Sequence, residues 1–144
     1  MDGDWRAVET RIWKKWSTSG SVAMDLLLER GRRAMQAGDL AGAVEHLTAL
    51  TDHAPEFAEG WNARATAFFM MEEYALSLHD IEITLSLNPR HFGAMSGLGM
   101  IMERLERPRE ALRAYRGALA VHPNRPDLKK AVERLKDKVE GTEL

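Results

Sequence analysis

Asn88–Met100 reads NPRHFGAMSGLGM, with three glycines, Gly93, Gly97 and Gly99, inside seven residues. Such a run is either a loop that cradles a phosphate or a helix whose neighbours come close. A phosphate loop of the Walker type needs Gly-x-x-x-x-Gly-Lys-Ser/Thr after a strand, and a dinucleotide loop needs Gly-x-Gly-x-x-Gly. No lysine follows these glycines, and Gly97-Leu98-Gly99 is followed three residues on by Met102. The stretch therefore offers no nucleotide cofactor site and reads as a helix. Asn88 suits its N-cap and Pro89 its first turn.

The surrounding chain supports the helical reading. Pro55, Pro89 and Pro123 are each 34 residues apart. At the same spacing Gly31, Ala65 and Gly99 recur, as do Ala43, Ser77 and Ala111. Large residues recur as well: Leu47, Ile81 and Tyr115, and Leu40 and Tyr74, with Pro108 third in that series. Self-similarity at this period marks a helix-turn-helix array. Helical spacing runs through Leu27, Arg30, Gly31 and Ala34, through Trp61, Arg64, Ala65 and Phe68, and through Met95, Leu98, Gly99 and Met102. Second helices are expected over Leu40–Asp52, Tyr74–Ser86 and Pro108–Ala120. Gly38 stops the first helix of the first unit and Asp39 caps the next. Pro126 opens a last helix, Asp127–Val139, with a stripe of Leu128, Val132, Leu135 and Val139 and a charged opposite face, as the end of an array requires.

These residues resemble the tetratricopeptide repeat. The family's Trp, Leu-Gly, Gly-Asp-Tyr, Ala, Ala and Pro positions fall on Trp61, Leu98-Gly99, Gly38-Asp39, Tyr74, Ala43, Ala111, Ala118 and the three prolines. The wording of FAEGWNARAT and NPRHFGAMSGLG is similar to that of small bacterial tetratricopeptide proteins. The resemblance implies an all-α, right-handed α-solenoid of three units, about 24–57, 58–91 and 92–125. An N-terminal Trp-rich helix and linker (1–21) precede them, and a C-terminal capping helix and tail (126–144) follow. Two departures stand out. Glu72 and Glu106 occupy the place of Gly38 and lose its easy positive φ. Arg64 replaces an expected apolar residue; its aliphatic stem is expected to be buried and its head to reach an acid or the surface.

In that family the first helices line a concave groove that receives a peptide or helix. The corresponding residues are Leu28, Arg32, Met35 and Gln36, then Glu59, Asn62, Thr66, Phe69 and Met70, then Gly93, Ser96, Gly97, Met100, Glu103 and Arg104. The surface mixes Met and Phe with charges of both signs, and methionine adapts to varied apolar partners. One subclass grips a C-terminal carboxylate with a Lys, Asn and Arg clamp; Leu28, Ala63, Gly93 and Gly97 stand at corresponding places, so that clamp is not expected. Gly93 and Gly97 are four apart and share a helix face. Each mid-helix glycine costs about 1 kcal/mol against alanine. Close packing, or a notch open to a partner, would compensate.

Before the repeats, DWRAVETRIWKKWSTSGS places Trp5, Val8, Ile12 and Trp16 on one helical face with Trp13 beside it. Asp4 can cap this helix, and Lys14 and Lys15 complement its dipole. A helix so short needs tertiary burial. Trp5, Ile12, Trp13 and Trp16 are thus contacts to the first repeat as a lid, to the groove, or to another chain in a homo-oligomer.

Composition bounds the rest. The chain has 144 residues, a formal net charge of −2 and no cysteine. The charge balance argues against nucleic acid as a partner, and disulfides and thiol catalysis are excluded. No apolar run reaches the length of a membrane span. The start lacks the layout of a signal peptide, so the chain reads as soluble, cytoplasmic as given, or periplasmic if an upstream export signal was removed. His46, His53, His79, His91 and His122 form no paired metal motif and read as surface residues, and His79-Asp80 as adjacent side chains that face different points. No serine, histidine and acid constellation is evident. The expectation is a non-enzymatic interaction module without metal or cofactor, acting as a scaffold or adaptor, with a structural homo-oligomer built through the Trp helix as the alternative.

Overall fold

A computed structural model describes residues 4–143. Residues 1–3 of the N-terminal segment and residue 144 of the tail lie outside the described residues. The described chain is helical throughout, without a strand: α1 (Trp5–Trp16), α2 (Val22–Gln36), α3 (Leu40–His53), α4 (Ala58–Met70), α5 (Tyr74–Leu87), α6 (Phe92–Arg104), α7 (Pro108–Val121) and α8 (Pro126–Glu143). It divides into two compact units, one ending at Pro89 and the other beginning at Arg90.

The hairpins have a common chemistry. α2, α4 and α6 end in the same pair of bonds. Gly38 N–H donates to Met35 O and Asp39 N–H to Ala34 O; the equivalents are Glu72 to Phe69 with Glu73 to Phe68, and Glu106 to Glu103 with Arg107 to Met102. This is the Schellman closure, which needs a left-handed residue after the helix. Gly38 supplies it at φ 81°, and Glu72 and Glu106 adopt it at 61° and 58°. The turn therefore keeps its shape where glycine is missing. The next residue starts the following helix, and at Asp39 the carboxylate also accepts from Gly42 N–H at 2.9 Å.

Between hairpins the second helices end at Ala54, Asn88 and His122, whose φ angles of −133°, −139° and −130° are far from helical. A residue before proline is excluded from the α region, and Pro55, Pro89 and Pro123 follow these three. The prolines thus mark turns rather than helix starts. The sequence expectation that Asn88 caps a helix opened by Pro89 is corrected: Pro89 and Arg90 form a turn and α6 begins at Phe92. His91 is the cap, its Nδ1 accepting from Ala94 N–H at 3.0 Å. The second helices otherwise follow expectation, each one residue longer at its C-terminus.

Within each hairpin a small residue admits a large one. A Cβ on Gly31 would lie 2.6 Å from Leu47, and one on Gly99 would lie 2.7 Å from the Tyr115 ring. Substitution there would force a core side chain to move. In the unit ending at Pro89 the core gathers Leu28, Ala43, Leu47, Leu50, Ala54, Ala63 and Ala67. In the unit from Arg90, α6, α7 and α8 bury Ile101, Leu112, Tyr115, Leu128 and Leu135 among others. Leu128 and Leu135 are the two fully buried members of the stripe read for the last helix.

Candidate functional site

In the first unit, α2 and α4 lie side by side, and the residues on that side fall into three classes of exposure. Leu28 is 2% exposed and belongs to the core, so it presents no side chain to a partner. Glu59 and Asn62 are buried, whereas Arg32 and Met35 are half-buried and Gln36, Thr66 and Met70 exposed. Phe69 is half-buried and leans on Tyr74, with ring centroids 5.7 Å apart.

A polar cluster organises this side. Arg32 Nη2 donates to Glu59 Oε1 at 3.2 Å, and Asn62 Nδ2 donates to the same oxygen at 3.0 Å. A buried carboxylate requires such partners, since leaving it unpaired would cost several kcal/mol, on the order of 3–5. Arg32 also donates from Nη1 to Ser17 Oγ at 3.1 Å, and its guanidinium lies over the Trp13 ring, 5.0 Å from the centroid. Beside it opens a cleft of about 410 Å³ whose lining includes Ser17, Asp25, Glu29, Arg32 and Gln36. The Trp-rich helix therefore reaches the same residue that sequence reasoning placed in the groove.

α1 itself is only partly covered. None of its residues is buried; Trp5, Ile12, Trp13 and Trp16 are half-buried and Val8 is 39% exposed. Asp4 stands at its N-cap but makes no side-chain capping bond, whereas Lys14 and Lys15 lie in its last turn.

A second cluster lies on the opposite side of α4. Arg64 binds Asp80 of α5 through two bonds, Nε to Oδ2 at 2.8 Å and Nη2 to Oδ1 at 3.0 Å. Its Nη1 also reaches the hydroxyls of Thr48 and Thr51, each at 3.3 Å. The stem is covered and the head meets an acid, as expected for this position. His79 Nδ1 lies 3.2 Å from Asp80 Oδ1, which corrects the expectation that the adjacent pair faces different points. Asp80 is fully buried and pairs α5 with α4 through Arg64, while the His79 ring stays largely exposed at the edge of the cluster.

In the second unit, Ser96, Gly93 and Gly97 are half-buried and Met100 and Arg104 exposed. Glu103 does not point to a free surface. It accepts from Tyr115 Oη at 2.8 Å and from both Nη atoms of Arg134, at 2.7 and 3.0 Å. The Arg134 bond, with Tyr115 helping against the cost of burial, holds the Glu103 carboxyl below its ordinary value. Desolvation and Glu103 push the Tyr115 phenol well above its own. The expectation of surface histidines fails for His91, which is fully buried at its cap, and for His122, which is buried edge-on against Phe92 at 4.8 Å. Neither signal was available from spacing, because a histidine that caps a helix and a solvated one look alike in sequence. Among the described residues no three His, Asp or Glu side chains are grouped as metal ligands. No helix among them is long and apolar enough to cross a membrane.

Repeated hairpins with Schellman closures, a small-on-large interlock and paired first helices define an all-α helical-repeat protein. Comparison with known proteins narrows the class. The tetratricopeptide repeat family profile matches residues 28–80 and 63–128, and the chain belongs to that family. It is 32% identical to a TPR repeat-containing protein of Rhizobium etli over 135 residues, covering 94% of this chain and 66% of that protein. A small glutamine-rich tetratricopeptide repeat-containing protein of Saccharomyces cerevisiae is 30% identical over 92% of this chain and 39% of its own length. The chain thus spans under two thirds of either relative. Among solved structures, the first TPR of Spaghetti bound to an HSP90 peptide superposes with a TM-score of 0.78 at 22% identity, over 82% of this chain and 94% of that one. The Sgt2 TPR domain of Aspergillus fumigatus gives 0.79 at 22%, over 85% and 83%. Domains of this family are protein-interaction modules, and these likenesses show the shared fold.

Proposed function

We propose that the chain is a non-catalytic scaffold or adaptor that binds a peptide or helix along its first helices. The observation that carries this is Met70, 49% exposed at the end of α4, which shares a helix face with Glu59 about three turns away, so that the first helices carry both apolar area and the fixed polar groups of the Arg32–Glu59–Asn62 cluster. Binding sites combine those two features, apolar area for affinity and a few placed polar groups for orientation. On α6, Met100 is 45% exposed and has the same character. The solved relative bound to an HSP90 peptide supports peptides as the ligand class. By the resemblance, Leu28 and Ala63, both apolar and buried, stand at clamp positions of one subclass of the family, which argues against a terminal carboxylate as the group read. A helical or extended segment with apolar anchors fits better.

The test is capture of partners from an extract of the native cell by wild type, Met70→Glu and Met100→Glu. Each charge is expected to reduce capture at least tenfold, since burying an unpaired carboxylate opposes binding by more than about 1.4 kcal/mol. Undiminished capture by both variants would sink the assignment.

A further inference from the structure

The contact between Trp13 and Arg32 has the form of a bound ligand. Glu59, itself held by Asn62, binds the guanidinium from one side, and the Arg32 side chain remains 27% exposed. Onto it α1 places an aromatic face and, one turn later, the hydroxyl of Ser17. Residues four apart share a helix face, so a single helical turn supplies both contacts.

α1 is attached in a way that lets it leave. Ser19 donates from N–H and Oγ to Asp25 Oδ1 at 2.8 and 2.6 Å, which pins the linker to α2. The pin sits beyond Ser17, so a hinge at Thr18 frees the Trp13–Ser17 turn while leaving the Ser19–Asp25 bonds intact. A permanent cap would bury its apolar stripe, yet no α1 residue is buried. A twelve-residue helix is marginal on its own, so its contacts with the body decide its position.

We propose that Arg32 anchors a helix-binding seat on the first unit and that α1 is its resident, displaceable occupant through the Trp13–Ser17 turn. The ligand that replaces it is an amphipathic helix carrying an aromatic residue and, four positions later, a hydroxyl acceptor. This rests on the groove reading above and adds to it both the ligand's signature and a means of regulation. Tethering gives α1 a local concentration near millimolar, so only a ligand with further apolar contacts wins the seat.

The experiment uses the full chain and a fluorescein-labelled peptide of residues 4–17 as the probe, read by anisotropy. Trp13→Ala weakens the resident's hold on the seat, and is expected to bind the probe about two- to thirtyfold tighter than wild type, the range of one cation–π contact. A probe with alanine at its own position 13 should lose that binding. Arg32→Lys in the Trp13→Ala background keeps the charge beside Glu59 but loses the flat fork, and should return binding to the wild-type level. Equal binding by wild type and Trp13→Ala, or none by either, overturns the proposal; so does an Arg32→Lys, Trp13→Ala double variant that binds as well as Trp13→Ala alone. As a second readout, amide exchange of residues 5–16 should quicken in Arg32→Lys while α2 to α5 stay protected; unchanged α1 exchange counts against it. The two claims fail separately. Probe results as expected with normal capture by both methionine variants would remove the groove and leave the seat. Flat probe results with Met70→Glu still impaired would do the reverse.

Discussion

At the scale of single residues, charge decides how the second hairpin is built. Arg64 stands where the repeat calls for an apolar side chain, and the chain answers with Asp80 on the facing helix and two threonines. Trp61 and Phe68 add ring faces at 5.1 and 5.6 Å from the guanidinium. Removing one partner of such a pair strands a buried charge, whereas replacing both by apolar groups is often neutral. Arg64→Met is therefore expected to cost about 3–5 kcal/mol, and Arg64→Met with Asp80→Leu about 1 or less. Urea unfolding of the two variants checks this; a double variant as unstable as the single one would show that the ion pair is not what the site depends on. The sequence already exposed Arg64 as an exception and suggested an acid for it. It could not single out Asp80, because which of several nearby carboxylates faces the guanidinium depends on how α4 rotates against α5.

At the scale of elements, the helix ends carry most of the sequence signal. The 34-residue phase placed every hairpin turn and the Gly31, Ala65 and Gly99 contact positions, since both depend on local geometry that repeats. It missed the start of α6. Asn88-Pro89 has the composition of a helix start, but proline's restriction on the residue before it ends α5 there instead. Strain is stored at Glu72 and Glu106, where left-handed backbone costs about 1–2 kcal/mol for an L-residue. Glycine would relieve that cost and lose about 0.5–1 kcal/mol of it to chain entropy. Glu72→Gly and Glu106→Gly should each stabilise by about 0.5–1 kcal/mol, and Gly38→Ala should destabilise by about 1; thermal melts giving the opposite order would contradict the turn assignment. The last helix is tied down differently. Arg134 of α8 binds Glu103 of α6, and Glu103 also accepts from Tyr115 of α7. The folded carboxyl titrates below its ordinary 4.5, so this link is fully present above that value and is lost as pH falls through the lowered one. Glu103→Gln should cost about 1 kcal/mol at neutral pH, a modest sum because Arg134 is more than half exposed. The gap between wild type and variant should close as the solution is acidified below pH 4.5. A gap that persists into acid would show that Glu103 acts by shape rather than by charge.

At the scale of the whole molecule, the fold class was readable because three copies of one pattern confirm each other. The candidate site was not, because its organising contact joins segments with no shared periodicity: Trp13 lies before the repeats, and Arg32 is one of four positions offered by α2. The same contact bears on whether copies of the chain associate. Three tryptophans on a short helix suggest an oligomer interface, and Val22 and Leu26 add apolar area at 87% and 42% exposure on one face of α2. Against this, Arg32 already engages Trp13 within the chain, and half-buried tryptophans offer a second copy only part of their surface. A stable dimer needs about 800 Å² buried on each partner. On α1 and α2, Val8, Val22 and Leu26 supply only a fraction of that area, and the other exposed apolar side chains, such as Leu76, Leu87 and Leu105, lie on other helices or turns. The full chain is accordingly expected to sediment as a monomer at micromolar concentration. A dimer that dissociates in Val22→Glu would instead make the face of α2, with α1 beside it in sequence, an interface between copies. A dimer that persists in Val22→Glu but dissociates in Trp16→Glu would move the interface to α1, and would mean that α1 leaves its seat on Arg32 for a neighbouring chain.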